Sequence, residues 1–250
     1  MTTIPTVFLD RDGNNKAFAD RSTSESIFPL QTQLLLEDFI NSNATIPTAG
    51  SPVIGYPWVK KLTLTSGSPT VGYVANALGG QVQLALDATN EAQEAALYAN
   101  DQRAWDLSKG TVFEAVAALS VVPSVAGVEM VLGMQPAWIS GPDNAAYYSR
   151  FQVNGSGLVN CQSKDGVNTF SVSSGVTLTA GVFNVFRIDL SDPTSVAYYI
   201  NGVKVGGAGI SFAATGANAV LQPYASMYKT ASAGLGTMLL GSIKLASAKV

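Results

Sequence analysis

The chain has 250 residues, 47% of them apolar and 12% charged, with a formal net charge of -3, a balance that supports a sizeable core and excludes extended disorder. Its 14 basic residues gather in no stripe, Lys60-Lys61 being the one adjacent pair, which excludes the phosphate-tracking surface of a nucleic-acid binder. Histidine is absent and Cys161 is the single cysteine, so a Ser-His-Asp or Cys-His centre, an intrachain disulfide and a Cys-based zinc site are excluded as well.

Residues 1–50 read as an extended N-terminal arm. Pro5, Pro29 and Pro47 punctuate it, with Pro52 just beyond, and the polar run Arg21-Ser22-Thr23-Ser24-Glu25-Ser26 has no period. Such an arm either frays or orders against a partner. The apolar stretch 33–40 suits a helical turn or a strand. Met1 to Thr6 lacks a basic start, no apolar h-region follows, and no window approaches the about 20 apolar residues of a membrane span. The expectation is a chain made and soluble in a cytoplasm, with no membrane and no nucleic-acid partner. Val7-Phe8-Leu9-Asp10-Arg11-Asp12-Gly13 spells the strand-end motif of haloacid-dehalogenase-type phosphatases. Asn14 follows where Thr is needed, however, and neither a Gly-Asp pair nor a run of βα units occurs later. The same residues begin like a calcium loop, but Arg21 stands where the bidentate Glu belongs. A polar turn is the reading.

Residues 51–250 show short alternating or apolar runs separated by Gly, Pro, Asn, Asp and Ser, the pattern of an all-β sandwich. From Tyr56 onward strands are predicted at 59–65, 82–87, 112–121, 128–134, 147–153, 169–173, 182–190, 195–200, 203–205, 219–227 and 237–246. In the 182–190 strand, Val182, Phe186, Ile188 and Leu190 share one face and Arg187 and Asp189 the other. Ser191-Asp192-Pro193-Thr194 turns the chain, and Asn201-Gly202 between Ile200 and Val203 marks a second hairpin, since both turn residues need positive φ. Segment 89–99 is rich in helix formers, yet its alternation also suits a strand; the residues alone leave it open.

The run Gly181-Val182-Phe183-Asn184-Val185-Phe186-Arg187-Ile188-Asp189, with Val196-Ala197-Tyr198-Tyr199-Ile200-Asn201-Gly202, resembles a late hairpin of concanavalin A-like lectin/glucanase sandwiches. Two further blocks, Ala88-Thr89-Asn90-Glu91-Ala92-Gln93 and Asp106-Leu107-Ser108-Lys109-Gly110-Thr111-Val112-Phe113-Glu114-Ala115, are similar to blocks in the members of that superfamily found among tailed-phage structural proteins. The resemblance covers residues 56–250. It implies a strand at 91–99 and an antiparallel two-sheet jelly roll.

Glucanases of this superfamily place paired carboxylates on one strand, spelled E-x-D-x-E, because an acid and a nucleophile must flank one glycosidic bond. Here the matching strand, 128–134, carries Glu129 but has Val131 at the next position, and the spelling occurs nowhere in the chain. The sugar and calcium site of the lectins cannot be carried onto any residue. Asp189 and Asp192 are turn caps rather than calcium ligands. Trp58, Trp105, Trp138 and the pairs Tyr147-Tyr148 and Tyr198-Tyr199 could stack on sugar rings, core and interface packing being the favoured reading for them. Trp138, in a loop at 135–142, is the best exposed aromatic, and with Tyr147 and Tyr148 it forms the candidate carbohydrate or partner contact. No catalytic, cofactor-binding or metal-ligating residue is predicted. The role expected is a non-enzymatic phage virion structural protein. It would be a capsid decoration or head-fibre component, homo-oligomeric and bound to major capsid or other virion proteins. The alternatives are an adhesin module of a tail or fibre that binds host polysaccharide, and a degenerate glycosidase resting on Glu129.

Overall fold

The computed structural model describes residues 7–9, 15–17, 32–40, 45–50, 57–213 and 215–248. Within them lie eighteen strands: β1 Val7–Leu9, β2 Asn15–Ala17, β3 Thr32–Glu37, β4 Val59–Thr63, β5 Thr70–Tyr73, β6 Val82–Ala85, β7 Glu91–Tyr98, β8 Trp105–Asp106, β9 Thr111–Val121, β10 Val128–Gln135, β11 Tyr148–Val153, β12 Leu158–Lys164, β13 Thr169–Thr177, β14 Asn184–Leu190, β15 Ala197–Ile200, β16 Val203–Val205, β17 Val220–Ser232 and β18 Thr237–Ala248. A front sheet runs β13-β12-β11-β10-β17-β7-β4, with β8 on the start of β17. A back sheet runs β16-β15-β14-β9-β18-β6-β5, with β3 on the end of β18. Neighbouring strands in both sheets are antiparallel. Among the described residues, β1 and β2 pair only with each other. Two consecutive pairs, β9–β10 and β17–β18, cross from one sheet to the other at the centre of the sandwich, as a jelly roll requires.

The core lies between the sheets and follows from alternation. β14 turns Phe186, Ile188 and Leu190 inward, each fully buried, while Arg187 is exposed. Asn184, not Val182, completes the inner row; Val182 precedes the strand and is exposed. Phe151 of the front sheet meets Phe186 and Tyr198 of the back sheet edge-on, with centroids at 5.1 and 5.3 Å. The Tyr198 hydroxyl donates to the Gln162 carbonyl at 2.7 Å, so the ring is buried without stranding its polar end. Lys229 enters the inner side at the sandwich rim and donates to the carbonyls of Asp87, Thr89 and Gly234.

Residues 91–98 form a strand against their helical propensity, because both faces are covered: Ala95 and Leu97 by the core, Glu94, Ala96 and Tyr98 on the other side. The stretch left open between turn and strand at 33–40 is β3 over its first part. Asn201-Gly202, at φ 52° and 79°, makes the predicted turn. Asp189 and Asp192 accept the amides of Ser191 and Thr194, as turn caps do. β5, β8 and β12 lie outside the predicted strands. The phosphatase-like motif is a strand over Val7–Leu9, and its Asp10, Asp12, Gly13 and Asn14 fall outside the described residues, as does Arg21.

Candidate functional site

The outer face of the front sheet is set by the same alternation. β10 sends Val128, Met130, Leu132 and Met134 into the core, so Glu129, Val131, Gly133 and Gln135 point away from it. Strand pairing then assembles rows across the sheet. One reads Gln162–Arg150–Gly133–Tyr224–Tyr98–Val59, the next Asn160–Gln152–Val131–Ser226–Ala96–Lys61, and the third Glu129–Tyr228–Glu94–Thr63. Gln135 and Gln222 stand opposite each other at the other end. An outer face of this composition is normally wet. Here Glu94, Gln222 and Ser226 are 0% exposed and Arg150, Gln135 and Tyr224 only 1%.

The cover is the β10–β11 connection, residues 136–147, which folds back across its own sheet. The Trp138 amide donates to the Asp101 carboxylate at 2.8 Å, and the Gln222 amide group donates to the same carboxylate at 3.0 Å. The Arg150 guanidinium reaches the Pro142 carbonyl at 2.8 Å and pairs with Asp143. Lys164 reaches the Ala145 carbonyl at 3.0 Å. Lys61 sits 4.9 Å from the centroid of the Trp138 ring, and the loop's apolar footing is the cluster of Val59, Ala96, Tyr98, Val131 and Tyr224. Two glycines make the cover possible. Gly133 faces Arg150, where a Cβ would stand 2.5 Å from the Arg150 Cα; at Gly141, with φ 75°, a Cβ would stand 3.2 Å from the Tyr228 hydroxyl.

Beneath the loop, side chains relay hydrogen bonds from Arg150 to Gln162, from Gln162 to Gln152, and from Gln152 to Glu129. Glu94 accepts from the Tyr224 hydroxyl. The accounting does not close. Among the described residues, six buried side-chain atoms lack a well-aligned hydrogen-bond partner: Glu94 Oε2, Glu129 Oε1, Gln135 Oε1, Gln222 Oε1, Ser226 Oγ and Trp138 Nε1. All six belong to this face and its loop, which singles it out. Burial pushes the Glu94 carboxyl up to about 7 and the Glu129 charge adds to that, while the Tyr224 hydroxyl and the poorly aligned approaches of the Gly141 amide and the Trp138 indole N–H oppose it. Burial likewise raises Glu129 to about 7, with Asp143 adding and Arg150 and Gln152 opposing. Among the described residues, no three of His, Cys, Asp or Glu gather where they could hold a metal ion.

All three candidate residues from the sequence fall on or beside this loop. Trp138 begins it and is half-buried, Tyr147 ends it, and Tyr148 is buried on the outer face with the Arg150 guanidinium 3.8 Å above its ring. The polar residues around them went unseen. No single strand carries the carboxylate pair: Glu94 and Glu129 come from β7 and β10 and share a row through β17.

No protein-family model matches the sequence, and no curated protein sequence matches it. Solved structures do. A protein of unknown function from Shewanella oneidensis MR-1, SO2946, superposes with a TM-score of 0.57 at 11% identity over 94% of this chain and 97% of that one. The cellulose induced protein Cip1 gives 0.54 at 13% identity over 86% and 98%. The carbohydrate recognition domain of Emp46p, in its metal-free form, gives 0.51 at 8% identity over 76% and 87%. At these identities the likeness is one of fold, a concanavalin A-like jelly-roll sandwich.

Proposed function

We propose that this chain is a non-catalytic, carbohydrate-binding jelly-roll module that takes a saccharide on the front-sheet face beneath the 136–147 loop. The observation that carries the reading is the convergence of six buried, unpartnered polar atoms on that one face. Polar groups enclosed without partners cost free energy, so each one in a natural protein marks strain, chemistry or a bound water, ion or ligand. Saccharides suit the rest of the surface: hydroxyls for the amides and carboxyls, and apolar ring faces for the half-buried Trp138 and Tyr228. The carbohydrate recognition domain among the structural neighbours is compatible with this reading. An array of host-type glycans tests it. Binding that Trp138→Ala weakens supports the reading, and an array without a single hit defeats it.

The setting proposed is a tailed-phage particle, where the module would serve in a tail or fibre and assemble with other virion proteins or sister copies. Its support is the resemblance of the 88–93 and 106–115 blocks, together with Leu34, Leu36, Phe183 and Val185, which stand exposed on or beside the back sheet. Deleting residues 2–30 should abolish incorporation into particles; normal occupancy would reject attachment through the arm.

A glycosidase-like centre is the second reading, favoured by the spacing of the two carboxyls. Glu129 and Glu94 lie two strand steps apart, roughly 10 Å between Cα atoms, and inverting pairs are separated by roughly 6.5–9.5 Å at the carboxyls. It predicts release of reducing ends from a glycan, abolished by Glu129→Gln.

A further inference from the structure

We infer that the saccharide this face takes carries a free amine, so that an ammonium group seats against Glu94 and Glu129. The inference rests on the carbohydrate-binding reading and names the ligand within it. The unpartnered atoms are lopsided in character. Four are carboxylate or amide oxygens, on Glu94, Glu129, Gln135 and Gln222, and only the Trp138 indole is an obligate donor. The two glutamines are not misassigned. Gln135 already gives its amide group to the Ala137 carbonyl, and Gln222 gives its own to Asp101 and to the Pro136 carbonyl, so the free atom of each is an oxygen. The face therefore has a surplus of acceptors, which a ligand rich in donors would meet.

Charge points the same way. The cations near the face are already engaged: Arg150 with Gln162, Pro142 and Asp143; Lys164 with the Ala145 carbonyl; Lys61 on the Trp138 ring. Asp101 and Asp143 add negative charge from the neighbouring loops, and Tyr98, Tyr224 and Tyr228 contribute neutral hydroxyls. Two enclosed carboxyls thus lack a counter-ion, and an ammonium would supply it. An organic ammonium fits better than a metal ion, because Tyr228 stands between the carboxyls in the row, and Tyr224, two rows away with its ring centroid 6.1 Å from that of Tyr98, reaches Glu94 through its hydroxyl. An acidic saccharide would meet like charge here.

Calorimetric titration with three tetrasaccharides tests this: a fully deacetylated glucosamine oligomer, its N-acetylated counterpart and a cellulose oligomer. The glucosamine oligomer should bind at least about tenfold tighter than the other two, the scale of one added charge-assisted hydrogen bond. On the acid side of neutrality, where the sugar amine is already protonated, its binding should release protons, read from the buffer dependence of the heat, because an ammonium stabilises the ionised carboxyls. Glu94→Gln or Glu129→Gln should remove that preference, and the proton release in the unsubstituted chain keeps the test valid if either variant fails to fold. Equal affinity for all three overturns the amine and leaves carbohydrate binding intact. Binding of none, with other glycans bound on the array, also overturns the amine alone; binding of no glycan at all overturns both. Stabilisation by calcium ions without any sugar, reversed by a chelator, would assign the acceptors to a metal and overturn the inference.

Discussion

Glu94 and Glu129 stand on one row of the front sheet, on either side of Tyr228, and each keeps one buried carboxyl oxygen without a partner. Neither residue is close to the other in sequence. The strand between them, β17, brings them together, and the folded-back loop seals them from water.

That enclosure should set the pH dependence of stability. Both carboxyls hold their protons more tightly in the folded chain, since burial raises each from 4.5 to about 7. The stabilisation is therefore complete below the unfolded value and is lost as pH rises through about 7. Glu91 and Asp165, held down to about 2 by amide hydrogen bonds, contribute the opposite slope at the acid end. Urea unfolding should show a maximum on the acid side of neutrality and a loss of up to about 3 kcal/mol per carboxyl toward alkaline pH. Glu129→Gln should flatten the alkaline limb; an unchanged profile would mean that the carboxyl is not enclosed.

Arg150 is the main tie between loop and sheet. Arg150→Ala removes the partner of the Pro142 carbonyl and of Gln162 Oε1, at a cost of about 2–4 kcal/mol. It should also expose the loop to protease, with cleavage inside residues 136–147. Arg150→Lys should not restore protection, because one ammonium cannot reproduce the fork and the stacking on Tyr148.

Gly141→Ala tests the loop from its other end. A side chain at φ 75° is strained, and its Cβ would press on the Asn144 amide and the Tyr228 hydroxyl at 3.0 and 3.2 Å. The expected loss is about 1–2 kcal/mol, with faster exchange of loop amides and little change in the back sheet.

Lys229 holds three carbonyls at the rim, from Asp87, Thr89 and Gly234. Lys229→Met keeps the stem but leaves these acceptors unpaired, and should lower stability by about 3 kcal/mol or more in chemical denaturation. A neutral outcome would show that water replaces the ammonium without penalty.

Sheet architecture was legible wherever one strand face was apolar and the other polar. Phe186, Ile188 and Leu190 against Arg187 announced β14, and Asn201-Gly202 announced its second hairpin. Strands buried on both faces were harder. Glu91–Tyr98 carries helix formers because Glu94 and Tyr98 are enclosed by the loop rather than wetted, and only a resemblance marked it as a strand. β12 escaped for a related reason, since Asn160, Gln162 and Lys164 on its outer side and Cys161 on its inner side leave little apolar signal. Of the site, the aromatic rim at Trp138, Tyr147 and Tyr148 could be read from composition and loop position. Its polar floor could not. Glu94, Glu129 and Gln222 become neighbours through registers joining strands far apart in the chain, and no local spacing encodes that.

The chain's three tryptophans give the most direct measurement. Trp58 donates its indole N–H to Glu37 and Trp105 is buried in the core, whereas the Trp138 indole N–H lies near the Glu94 carboxyl without a well-aligned partner. In a two-dimensional nitrogen–proton spectrum titrated with a bound oligosaccharide, the Trp138 indole peak should move to saturation while the other two stay in place. A saccharide that binds and leaves the Trp138 peak unmoved would contradict the assignment of this face as the binding site.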